Sequence, residues 1–118
     1  MGLGDARAAL ALFEAEPMDG RRLQGQVMAY WALGEVEKSD AALAEFMSEK
    51  YLEDEWQPYI AVALAHRGDV DQSFEMLEIA YELREPILLA MIRGPRLQNL
   101  HSDPRWPVFK AKVLALTK

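Results

Sequence analysis

The residues of this 118-residue chain that are able to do chemistry are few. His101, Ser102 and Asp103 supply the three side chains of a hydrolase triad. Consecutive residues, however, cannot point at one another in the relay that activates a nucleophile, whereas Ser-Asp-Pro is what a helix start needs. Asp103 is therefore expected to cap a helix whose first position is Pro104. His66 is the only other histidine, and Val70 holds its i+4 position, so no zinc-binding pair forms on one helix face. It is expected either to face a groove or to sit as a satisfied polar residue. Asp54 and Glu55 have no pocket to raise a carboxyl pKa and fit a solvated loop before Pro58. Gly2-Leu3-Gly4 precedes a helical pattern, but no strand comes before it and no lysine or further glycine completes a phosphate-binding loop. With no cysteine there is no disulfide, no cysteine-ligated zinc and no thiol nucleophile. The expectation is a non-enzyme without cofactor or metal.

The elements that carry these residues belong to one folding unit, 51% hydrophobic and 27% charged, with seven glycines and six prolines. A net charge of −6 repels phosphate backbones and anionic lipid, so no nucleic-acid partner is expected. The first residues, MGLGDARAALALFEAEP, are broken by Asp5, Arg7 and Glu14 and lack the apolar run of a signal peptide or membrane span. No membrane insertion is expected, and the chain is placed in a soluble compartment, cytoplasmic with the periplasm left open.

The strongest pattern is a repetition. ALGEVEKSDAALAEF (32–46) and HRGDVDQSFEMLEIA (66–80) match at a spacing of 34 residues. Ala63 follows Ala29, Gly68 follows Gly34, Val70 follows Val36, Ser73 follows Ser39 and Leu77 follows Leu43, while Asp69 and Asp71 stand for Glu35 and Glu37. Apolar residues recur at three- and four-residue steps on each side of the glycine: Val27, Tyr30 and Trp31 before Gly34, then Val36, Leu43, Phe46 and Met47. The second copy has Ile60, Ala61, Leu64 and Ala65, then Val70, Leu77, Ala80 and Tyr81. Each copy predicts helix, turn, helix. The glycine is expected in the left-handed conformation that ends the first helix, and the acid after it suits the positive end of the next helix dipole. Ala29/Ala63 and Ser39/Ser73 allow close approach of paired helices, with Leu43 and Leu77 in the seam.

A helix–turn–helix period of 34 resembles the tetratricopeptide repeat. Ser39 and Ser73 take the place of its small alanine, and Tyr30 and Leu64 its aromatic position. Leu23/Gln57 and Val27/Ala61 replace its tryptophan and first-helix glycine. The resemblance implies an all-α fold, a right-handed superhelix of antiparallel hairpins. It divides one 1–118 domain into the second helix of a truncated repeat (1–17), two repeats (20–53 and 54–86) and C-terminal cap helices (87–118). Pro58-Tyr59, Gly68-Asp69, Ala80-Tyr81, Pro95-x-Leu97-x-x-Leu100 and Ser102-Asp103-Pro104-Arg105-Trp106 also resemble the C-terminal repeat region of bacterial multidomain signalling proteins. Those proteins couple such a tail, with a TolB-like segment, to an adenylate/guanylate cyclase-like or winged-helix DNA-binding domain.

That family binds through a concave face lined by the first helix of each repeat. Position by position, the resemblance carries the groove onto Arg21, Gln24, Met28, Trp31 and Ala32, then Glu55, Pro58, Val62, Ala65 and His66. The function it implies is a non-catalytic interaction module that holds a protein or peptide partner, or another domain of the parent chain. The alternative is a small-molecule sensor controlling an attached output domain, its ligand in the groove or beside Trp106. The uncovered Leu10, Leu12 and Phe13 face of the N-terminal helix points to a homo-oligomer or to an earlier repeat in a longer protein. The final helix should carry Phe109, Val113, Leu114 and Leu116 on its inner side.

Overall fold

The structure is a computed structural model that describes residue 8, residues 19–48 and residues 56–116. It is helical, with no strand among the described residues. In chain order the helices are α1 (Asp19–Ala32), α2 (Val36–Phe46), α3 (Gln57–Arg67), α4 (Val70–Glu82), α5 (Ile87–Arg93), a 3-10 segment (Pro95–Leu100) and α6 (Arg105–Ala115). The N-terminal helix expected over 1–17, with Leu10, Leu12 and Phe13, lies outside the described residues except for Ala8, which is helical.

The two sequence copies fold through the same hydrogen bonds. Gly34 has φ 78° and Gly68 φ 83°, both left-handed as the turn requires. The Gly34 N–H donates to the Trp31 carbonyl at 3.0 Å and the Glu35 N–H to that of Tyr30 at 2.9 Å. One period later Gly68 donates to Ala65 at 3.0 Å and Asp69 to Leu64 at 2.9 Å. These paired bonds satisfy carbonyls that the end of a helix would otherwise leave open. The conserved-in-copy serines repeat as well: Ser39 Oγ donates to the Val27 carbonyl at 2.8 Å and Ser73 Oγ to that of Ala61 at 2.7 Å. Both hydroxyls are buried, so each needs this partner, and each thereby ties α2 to α1 or α4 to α3. The acids after the glycines make no side-chain cap bond. Glu35 pairs with Lys38 at 3.6 Å and Asp69 with Arg67 at 3.1 Å.

A third turn of this kind closes α4 without glycine. Arg84 takes φ 56°, and the N–H groups of Arg84 and Glu85 donate to Tyr81 and Ala80, both at 3.0 Å.

The core runs through all of these elements. Leu43, Phe46, Ile60, Leu64 and Leu77 lie in it with Leu88, Leu97, Leu100, Trp106 and Phe109. α3 sits between α1 on one side and the 3-10 segment on the other, packing against α4 as well. Bonds 34 residues apart continue the spacing into the C-terminal part. Asn99 Nδ2 donates to the Ala65 carbonyl at 3.1 Å, Arg105 pairs with Asp71 at 2.8 Å, and Lys112 pairs with Glu78. Asp103 caps α6 as expected: its carboxylate accepts the Arg105 N–H at 2.8 Å, and Pro104 already has helical φ and ψ of −62° and −18°.

Three apolar assignments change. Val36 is 45% exposed and Leu116 40% exposed, because each lies at a helix end past the surface its neighbours cover. Pro58, placed in the groove by the resemblance, is fully buried at the start of α3. Trp56 beside it packs on Phe46 and Tyr59, with ring centroids 6.1 and 5.2 Å apart, and lies so close to Gly20 that a Cβ there would fall 2.5 Å from the indole.

Candidate functional site

On α1, positions 21, 24 and 28 fall on one face because they are three and four residues apart. The structure brings Arg21, Gln24 and Met28 together with Val62 in a recess of about 320 Å3 between α1 and α3. Three further residues line it that sequence reasoning missed, Gly25, Tyr59 and Arg96. Tyr59 was legible in principle, since it lies three positions before Val62. Arg96 was not, because it arrives from the 3-10 segment, which no repeat position predicts. Val62 is almost wholly buried and forms the floor, while Arg21 and Arg96 are exposed at the rim. The Gln24 carboxamide donates to the Tyr59 carbonyl at 3.5 Å, a long bond across the α1–α3 seam. The recess therefore presents a guanidinium at each side of an apolar floor. That arrangement suits an apolar side chain next to a carboxylate.

Ala65 and His66 belong to a second recess, of about 700 Å3, that also contains Asn99, Gln98, His101 and Ser102. Ala65 is buried and contributes floor, while His66 is half-buried. Burial lowers the His66 pKa below its ordinary value, since an imidazolium loses hydration there. His101 lies on Trp106, ring centroids 4.7 Å apart, so no gap opens on that side of the indole.

Compared with known proteins, the chain matches no protein-family model, no curated protein and no solved structure.

Trp31 joins neither recess. The Arg67 guanidinium covers its ring at 4.6 Å, and the same guanidinium bonds Ser39 Oγ at 3.3 Å and the Asp40 carboxylate at 2.7 Å. Arg67 comes from the end of α3, whereas Trp31, Ser39 and Asp40 belong to the first hairpin. The indole is thus part of a clasp between hairpins, half-buried beneath the Arg67 guanidinium. Ala32 is half-buried beside it, and Glu55 lies outside the described residues.

Among the described residues no group of three or more His, Asp or Glu side chains is placed to hold a metal ion. No described helix is long and apolar enough to cross a membrane. His101, Ser102 and Asp103 make no relay: Asp103 is held by the Arg105 backbone and side chain, and His101 stacks on Trp106.

Proposed function

We propose that this chain is a non-catalytic interaction module of the tetratricopeptide type. Its hairpins stack as a right-handed superhelix, and it forms the C-terminal regulatory part of a larger bacterial signalling protein. Its partner is a peptide segment, or an exposed segment of a neighbouring domain, seated against α1, α3 and the 3-10 segment. The observation that carries this reading is the recess in which Arg21 and Arg96 flank Met28, Tyr59 and Val62. Arginine, tyrosine and methionine are the residue types that dominate binding energy at such surfaces. The two guanidiniums select a segment that carries an acidic residue beside an apolar one.

Binding of fluorescent eight-residue peptides, with acidic and apolar residues at varied spacing, tests it by fluorescence anisotropy. Arg21→Ala should weaken capture of the best peptide about tenfold, the loss expected for one charge-assisted bond. Its melting temperature should stay within a degree or two of the parent's, because the residue is exposed. Equal affinity for acidic and neutral peptides would sink the reading.

A small-molecule sensor remains the second reading, favoured by an open groove of about 1010 Å3 between α4 and α6 walled by Phe74, Ile79, Val108 and Phe109. A thermal shift across a metabolite panel separates the two, because a ligand that binds the folded state stabilises it by mass action.

A further inference from the structure

Four of the five large apolar side chains left exposed among the described residues belong to two helices: Ile79 and Leu83 lie at the C-terminal part of α4, Val108 on α6 and Leu116 at its end. Ile79 and Val108 wall the open groove between those helices. Its floor is Phe74 and Phe109, both buried and packed edge to face with ring centroids 6.5 Å apart. Two ion pairs cross the groove, Asp71 with Arg105 and Glu78 with Lys112. They stand about 10 Å apart along α4 at 1.5 Å per residue, close to two helical turns. Val108, 69% exposed, lies between them with nothing covering it.

The charge of this groove is not balanced. Asp71, Glu75, Glu78 and Glu82 follow one another at steps of four, three and four and so share one face of α4, a helix with no lysine or arginine. Two cations of α6 meet that face, and both are engaged: Lys112 by Glu78, and Arg105 by Asp71 and Asp103 together. Glu75 and Glu82 are exposed, and no cation among the described residues pairs with either. An apolar trough therefore carries uncompensated negative charge along one edge. A second copy of the same face would bring only the same acids and the same engaged cations, so self-pairing leaves Glu75 and Glu82 unmatched. Both walls are helices, which offer no strand edge. A segment buried between them has to satisfy its own N–H and C=O groups, and a helix does so.

We propose that the groove between α4 and α6 docks an amphipathic helix of a partner protein, its apolar stripe against Ile79 and Val108 and its lysines or arginines against Glu75 and Glu82. The surface is separate from the arginine recess between α1 and α3 and selects the opposite charge, so either reading can fail without the other. Glu75 and Glu82 are seven residues apart on α4, so basic residues at i and i+7 of a helix lying along it reach both. Apolar anchors at i, i+3 or i+4 and i+7 span the same two turns, which is the stretch framed by the two ion pairs. A trough open along this length covers one face of a helix, whereas a small molecule needs a concavity that buries most of its surface.

The test is an anisotropy titration of the whole chain with a fluorescein-labelled, acetylated and amidated peptide of about 18 residues, long enough to hold a helix. It carries leucines at i, i+3, i+4 and i+7, lysines at two positions seven apart, and alanine and glutamine elsewhere. A second peptide has glutamate for each lysine. The lysine peptide should bind at micromolar concentration and the glutamate peptide at least about tenfold more weakly, because like charges then face each other. Val108→Ser, which removes apolar contact without changing charge, should weaken the lysine peptide about tenfold. Glu75→Gln combined with Glu82→Gln should weaken it about fivefold, the loss of exposed ion pairs. Glu45→Gln, the same change on α2, and Arg21→Ala in the other recess should each leave it unaltered. All five positions are exposed, and circular dichroism checks that the variants fold. Methyl NMR of the unmodified chain supplies a reading free of variants: saturating peptide should shift the Ile79 and Val108 resonances and leave Val62, the floor of the arginine recess, in place. Equal affinity for the two peptides, binding untouched by Val108→Ser, or no binding of the lysine peptide below about 100 μM each overturns the proposal. A dimer in sedimentation equilibrium that Val108→Ser dissociates overturns it as well, and gives the groove to a second copy.

Discussion

The two hairpins share their letters and their local bonds but not their surroundings. In the second, α3 is buried without a break from Ile60 to Ala65. In the first, α1 buries Leu23, Val27 and Ala29, while Met28, Tyr30, Trp31 and Leu33 are half-buried. The difference follows from position, since α3 lies between α1 and the 3-10 segment and also packs against α4. Val36 and Val70 show it at a single position, the first exposed and the second half-buried beside the turn that carries His101 and Ser102. Where the first copy has Leu33, the second has Arg67, which reaches back to clasp Trp31, Ser39 and Asp40. A repeated hairpin is thus a local object, and what it buries is decided by the hairpin next to it.

The comparison is tested most severely at the seam leucines. Leu77 is fully buried and Leu43 is 9% exposed. Both should destabilise the chain by about 2–5 kcal/mol when cut to alanine, with Leu77→Ala the larger, because cost grows with the cavity left behind. Urea melts of the two variants decide it. Equal losses would mean that the neighbouring hairpin adds nothing to the seam, and a loss under about 1 kcal/mol would place either leucine at the surface.

The turns test whether all three helix ends obey one rule. No atom lies within 4 Å of a Cβ built on Gly34 or Gly68, so the whole cost of Gly34→Ala or Gly68→Ala is conformational, about 1–2 kcal/mol. Arg84, in the same left-handed geometry, should show the reverse. Arg84→Gly is expected to be stabilising by up to about 1 kcal/mol, read from the melting temperature. A destabilised Arg84→Gly would show that the arginine side chain matters more to that turn than its backbone angle.

The smallest effect concerns the acids that follow each turn. Glu35, Asp69 and Asp103 are spaced one period apart, yet only Asp103 bonds the backbone of the helix it precedes. Hydrogen bonds from the Arg105 side chain and then its N–H hold the Asp103 carboxyl down at about 2. A depressed folded pKa makes its stabilising contribution complete above the ordinary value of 3.8 and lost as pH falls through about 2. In an acid titration Asp103→Asn should remove that part of the pH dependence, while Asp69→Asn should leave it in place.

Much of the fold was legible because it depends on residues close in the chain. The 34-residue spacing, the left-handed glycines, the seam leucines and the Asp103 cap were each expected and each found. Arg21, Gln24, Met28 and Val62 were legible as one surface because helical periodicity puts them on facing sides of adjacent helices. Trp31 was placed with them by the resemblance to the repeat family. Its ring is instead covered by Arg67, a residue 36 positions later whose reach no helical wheel contains.

By itself, then, the sequence determined the hairpins: a turn closes within a few residues, and its glycine, its buried serine and its apolar stripe act over one or two helical turns. Only the tertiary structure decided what the hairpins present. Arg96 joins Arg21, and His101 joins His66, because the 3-10 segment is laid along α3 by the burial of Leu97 and Leu100. Burial of that kind fixes distance between parts of the chain that share no local pattern, and so the charge that lines the groove is written in the packing.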